Sequence, residues 1–144
     1  MQNPPPVQTS SQPPAQAGKS STGLDENVAA LLSYVMTWLT GLIFFLIEKD
    51  SRLVRFHAMQ ALILGIIAVV ASFVLWFAYF VIIIVASQIS GALGSLVSLL
   101  LGLVIFVFFA ALLVGWILGM VKAFQGQYFK LPLIGNFAEK FSQK

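Results

Sequence analysis

Apolar residues run almost unbroken from Val28 to Val121, and a single charged stretch interrupts them: Glu48-Lys49-Asp50-Ser51-Arg52-Leu53-Val54-Arg55-Phe56-His57. No Asp, Glu, Lys or Arg follows it until Lys122. A loop with this much charge sits in water, so it separates a short apolar segment from a much longer one. The short segment, Val28 to Ile47, is about 20 residues, which at about 1.5 Å rise matches a hydrocarbon core of about 30 Å. Asp25 and Glu26 at its start suit the positive end of a helix dipole. Within the long segment, Ser87 to Ser95 is the one polar, Gly-bearing interruption, and a turn is expected there. The second helix begins near His57, because drawing Arg55 to mid-membrane costs about 2.5 to 3.5 kcal/mol. The pattern predicts an all-α integral membrane protein with three transmembrane helices, at about residues 28–47, 58–86 and 95–121, the second and third forming a long hairpin.

The two ends read differently. Residues 1–23 hold Pro4, Pro5, Pro6, Pro13 and Pro14 among Gln, Ser, Thr and Ala, a composition predicting a disordered, solvated tail without the features of a signal peptide. Residues 122–144 interleave Lys122, Lys130, Lys140 and Lys144 with Phe124, Tyr128, Phe129, Phe137 and Phe141, which suits an amphipathic segment lying along the bilayer surface. Pro132 forbids a continuous helix there, and Asn136 with Glu139 three positions on predicts a short capped helix. Residues 24–144 are expected to form a single helical membrane domain.

Small residues recur at helical spacing and predict close helix packing at Gly41, Gly65, Gly94, Ser98, Gly102, Gly115 and Gly119. Gly94-Ser98-Gly102 and Ala111-Gly115-Gly119 are expected to face opposite sides of the third helix, leaving room for a second subunit.

Composition agrees with the pattern. The chain is 59% hydrophobic and 9% charged, with a mean hydropathy of +0.94; soluble domains are about 25% charged. The net charge of +3 comes from bases flanking apolar spans, so they are read as headgroup anchors and not as a nucleic-acid surface. With no Cys, thiolate metal sites and disulfides are excluded. With three spans, Lys49, Arg52, Arg55 and the Lys-bearing tail fall on one side, so the N-terminus is expected outside and the C-terminus in the cytoplasm.

No Ser–His pair, aspartate pair within spans or HExxH motif is present, so no catalytic residue, cofactor or metal ligand is assigned. The candidates for specific contact are Arg52, Arg55, His57 and Gln60, which a helix starting in the loop presents at the inner interface. They either grip lipid phosphates or a partner, or serve as orientation signals with Gln60 bonding a neighbouring helix.

The runs Leu24 to Tyr34, Gly41-Leu42-Ile43-Phe44, Glu48-Lys49 and Val54 to Gln60, with Lys122 to Gly126 and Phe129 to Glu139, resemble the small prokaryotic membrane proteins of the domain of unknown function 4870 family. That resemblance implies a prokaryotic plasma membrane, no known enzyme activity, and a relationship to the Tic-twenty-like component of chloroplast protein import. The expected function is a non-catalytic multi-pass membrane protein acting by helix association, with the lipid bilayer and a homo-oligomer or other membrane proteins as partners. The alternative is a channel or translocation component whose path is lined by Thr37, Ser72 and Ser98.

Overall fold

The computed structural model describes residues 18–142. It is all-helical: α1 (Glu26–Leu32), α2 (Trp38–Ile47), α3 (Arg52–Ile89), α4 (Gly91–Phe124) and α5 (Gly135–Ser142). α3 and α4 are an antiparallel hairpin of 38 and 34 residues, about 57 and 51 Å long. Both are longer than the expected spans, because the polar stretch at residues 87–95 contracts to one residue. Ser90 ends α3 and caps α4, its hydroxyl accepting from the Leu93 N–H at 3.0 Å. Gly94 lets α4 approach Ser87, and Tyr79 and Ser98 share a hydroxyl–hydroxyl bond of 2.7 Å further along.

The expected first span is not one helix. α1 has 7 residues and α2 has 10, about 10 and 15 Å, so neither crosses a core of about 30 Å. They form a V that enters and returns. α1 starts where Asn27 meets Gly126 and descends until Tyr34 touches Gly119; the chain turns over residues 33–37, and α2 climbs back along α3, with Trp38 against Gly65 and Gly41 against Ala58 and Leu62. Backbone can leave a helix at this depth only where its polar groups find partners inside the protein. Here they do. The Thr40 hydroxyl donates to the Ser33 carbonyl at 2.8 Å and accepts from the Met36 N–H at 3.1 Å, and the Trp116 indole N–H donates to the Tyr34 carbonyl at 2.8 Å. Thr37 closes the turn at φ 44°, a conformation a β-branched residue adopts only when its surroundings enforce it.

The turn also brings the described start of the chain back to the charged loop. Ser20 and Ser21 bond Glu48, and Glu26 bonds Ser51. The described N-terminal residues therefore stand at the same end of the molecule as the charged loop and Gly126. Residues 18–23, expected to belong to a solvated tail, form a strap across that loop, and Ser20 is buried; residues 1–17 lie outside the described residues.

A second returning segment lies opposite the V. After α4 the chain passes His57 and Gln60 of α3, turns at Pro132-Leu133, and α5 comes back beside Phe56 and Met59, with Ala138 buried between them. The break at Pro132 and a short helix after it agree with the pattern, but α5 begins at Gly135, so Asn136 lies within the helix and does not cap it. α5 does not lie free on a surface, because Ile134 and Ala138 bury their side chains against α3.

The V and the α5 segment thus surround only the first third of α3 and the end of α4. Beyond Val70 the hairpin stands alone, with Phe73, Phe77, Leu99 and Phe106 each at least 69% exposed. The apolar windows of α3 and α4 have none of their residues buried within the protein. Bare apolar helices of this length are what a bilayer covers and water does not.

Candidate functional site at the charged end

Every charged residue among those described sits at or beside the surrounded end, since none occurs between Phe56 and Val121. Two polar clusters are built there.

The inner one centres on α3. His57 and Gln60 are three apart on a helix that the V and α5 enclose, and with Tyr34 of the V they are wholly buried. The Gln60 amide donates to the Tyr34 hydroxyl at 3.0 Å and to the Phe129 carbonyl at 3.2 Å, while its oxygen accepts from the Leu131 N–H at 3.2 Å. His57 Nε2 lies 3.0 Å from the Gln127 carbonyl and Nδ1 lies 3.2 Å from the Tyr34 hydroxyl. A carbonyl only accepts, so Nε2 carries the proton and Nδ1 accepts from Tyr34. One directed chain results, from Gln60 to Tyr34 to His57 to the Gln127 carbonyl, with the imidazole neutral. These side chains grip the backbone of residues 127–131 and the foot of the V. Their hydrogen-bonding capacity goes into that grip, and none of it is directed at a cavity.

The outer cluster closes the loop. The Glu48 carboxylate accepts from the Ser20 hydroxyl, from the Ser21 hydroxyl at 2.8 Å and N–H at 3.0 Å, and from the Asp50 and Ser51 N–H groups at 3.0 and 2.9 Å. Burial alone raises a carboxyl pKa, but these donors outweigh it and hold Glu48 down to about 2. Glu26 accepts from the Ser51 hydroxyl at 2.9 Å and from the Gly18 N–H at 3.1 Å, fixing the strap to α1.

The four residues singled out in the loop are thereby separated. His57 and Gln60 point inward; Arg52 is exposed, and Arg55 is half-buried on another face of α3, over the Phe45 ring at 5.2 Å. Tyr34, Thr40 and Trp116, which complete the inner arrangement, were not singled out as site residues. Their signal was polar groups inside an apolar run, a pattern shared with ordinary packing. Among the packing residues, a Cβ at Gly41, Gly65 or Gly119 would fall within 2.8 Å of another element, at Gly94 it would come to 3.1 Å, and at Gly115 it would reach Leu131 at 3.6 Å. Gly102 meets nothing within 4 Å among the described residues. Gly94 and Ser98 face α3 while Gly115 and Gly119 face the C-terminal segment and the V, so the two ladders do have different neighbours.

An apolar helical hairpin that only lipid can cover, with its charge and its polar clamp collected at one end, defines a helical membrane protein. The comparisons with known proteins agree and are more specific. A family profile matches residues 24–138, and the chain belongs to that family, the magnetosome magnetite crystal formation protein family MamF/MmsF. Two membrane proteins of Methanocaldococcus jannaschii, both named UPF0132, are similar to it. One is 38% identical over 130 residues, covering 88% of this chain and 96% of the relative. The other is 34% identical over 119 residues, covering 83% and 71%. A UPF0132 membrane protein of Archaeoglobus fulgidus is 35% identical over 117 residues, covering 81% of this chain and 95% of its own. No solved structure gives a significant match. This membership corrects the resemblance to the domain of unknown function 4870 family, and the import analogy drawn from it falls with it.

Proposed function

We propose that this is a non-catalytic membrane protein with two spans, α3 and α4, and a re-entrant V, which acts by associating in the membrane with further copies or with other membrane proteins. Both described ends of the chain then lie on the cytoplasmic side, where the positive-inside rule puts Lys49, Arg52, Arg55, Lys122 and Lys130 together. The observation that carries the reading is the division of labour along the hairpin. Polar groups at the enclosed end are engaged in holding the fold, whereas from Ile66 to Val85 on α3 and from Leu96 to Leu118 on α4 every exposed side chain is apolar.

The hydroxyls named for a permeation path favour association over a channel. Ser72 donates to the Ala68 carbonyl at 2.6 Å and Ser98 pairs with Tyr79, so neither lines an open polar stripe.

The native chain lacks Cys, so single-Cys variants report contacts cleanly. Phe77→Cys and Phe106→Cys, treated with a thiol crosslinker in native membranes, are expected to give discrete adducts of two chains or of this chain with a partner. Monomer alone at both positions and along the rest of both outer faces rejects the reading.

A further inference from the structure

α3 presents Arg55, Met59, Leu62 and Ile66 in one line, at the spacing i, i+4, i+7, i+11 that keeps residues on one helical face. α2 flanks this line on one side, through Gly41 and Phe45, and α5 on the other, through Ala138. On the α5 side of this line runs a groove of about 590 Å³, floored by Met59, Leu62 and Ile66 and walled by Leu133, Phe137 and Phe141, and Arg55 stands one helical turn before Met59. It is apolar throughout and opens sideways, towards lipid. At its mouth Leu133 has φ 68° and is 90% exposed, with Phe137 61% exposed beside it.

At the charged end of the same line stands Arg55. Its Nη1 reaches the Glu48 carbonyl only at 3.4 Å, and its Nε is shielded from solvent without a hydrogen-bond partner among the described residues. No carboxylate forms an ion pair with it among the described residues: Glu48 accepts from Ser20, Ser21 and Ser51, and Asp50 accepts from Ser21. A shielded guanidinium edge lacking an acceptor is a costly arrangement, and a phosphodiester is the acceptor its fork fits. α5 runs back towards the loop, so exposed Lys140 stands at this same end and favours net negative charge in the ligand. The 11 positions from Arg55 to Ile66 supply about 16 Å of apolar floor beneath the charge.

We propose that this groove binds one anionic phospholipid, its phosphate on Arg55 and one chain along Met59, Leu62 and Ile66. The test is native mass spectrometry of the delipidated full chain in detergent micelles, offered phosphatidylglycerol or phosphatidylcholine at equal ratios. One phosphatidylglycerol adduct per chain is expected, with weaker retention of phosphatidylcholine. Arg55→Gln lowers phosphatidylglycerol occupancy about tenfold, as expected for one charge-assisted contact, whereas Arg52→Gln leaves it unchanged. Leu133→Glu, at a side chain that packs on almost nothing, lowers it as well by placing like charge in the chain slot, so the proposal remains testable should Arg55→Gln misfold. Equal retention of both lipids with no effect of Arg55→Gln or Leu133→Glu overturns it. Displacement of the adduct by millimolar inorganic phosphate also overturns it, because the ligand would then be a free anion.

Discussion

Replacing Tyr34 by Phe removes one oxygen and tests whether the inner clamp holds the re-entrant V. That oxygen accepts from Gln60 at 3.0 Å and donates to His57 across 3.2 Å, and all three side chains are wholly buried. Phe fills the same space, so no cavity forms and packing is nearly conserved. What changes is that His57 Nδ1 loses its donor and one Gln60 N–H loses its acceptor. In soluble proteins each orphaned buried group costs about 1–3 kcal/mol, while polar contacts in membrane proteins average about 0.6 kcal/mol because the unfolded chain also finds partners. Two such groups bracket the expected loss between about 1 kcal/mol on the membrane figure and about 6 kcal/mol on the upper soluble one. It is measured by titrating the detergent-solubilised protein with a denaturing detergent and following tryptophan emission, to which Trp116 contributes through its bond to the Tyr34 carbonyl. Hydrogen exchange at the Leu131 N–H, which bonds Gln60, should accelerate in parallel. A transition that shifts by less than about 0.3 kcal/mol, with exchange at Leu131 unchanged, would show that the clamp contributes nothing and that apolar contacts alone retain the V.

Three further outcomes are expected. Single cysteines at Lys19, Gly126 and Gln88, probed with a membrane-impermeant maleimide, should label from one side at positions 19 and 126 and from the other at 88; labelling of 19 together with 88 would restore the three-span arrangement. Gly65→Ala, whose Cβ would lie 2.5 Å from the Trp38 backbone nitrogen, should destabilise by about 1–3 kcal/mol through overpacking, while Gly102→Ala should be neutral or slightly stabilising; equal effects in the same detergent titration would contradict the V's placement on α3. Glu48 lies at about 2 in the folded chain against an ordinary 4.5, so its contribution is complete above about 4.5 and lost as pH falls towards 2. Limited proteolysis within residues 18–24 should therefore accelerate over that window in the wild type. Glu48→Gln should show a flat profile there, and a profile as steep as the wild type's would assign the effect elsewhere.

Hydropathy and charge alone determined that the chain is helical and membrane-bound, where its charged loop falls, that α3 and α4 pair as a hairpin, and that Pro132 interrupts the C-terminal segment. Those features depend on local composition, and Arg55 or Ser90 sets them wherever the rest of the chain lies. The fate of residues 28–47 could not be read the same way. Twenty apolar residues fit one helix crossing the bilayer or two short helices that turn back, and hydropathy measures length without direction. No Gly or Pro marks the turn at residues 33–37. It is made tolerable by Thr40, close in sequence, and by Trp116, 82 positions away from Tyr34, and such a partner exists only once the chain has folded. The same holds for His57 and Gln60: their spacing put them on one face, but only packing decided that this face looks inward onto the backbone of residues 127–131 and not outward towards lipid. Arg55 took another face, over the Phe45 ring of α2, a neighbour that local sequence does not record.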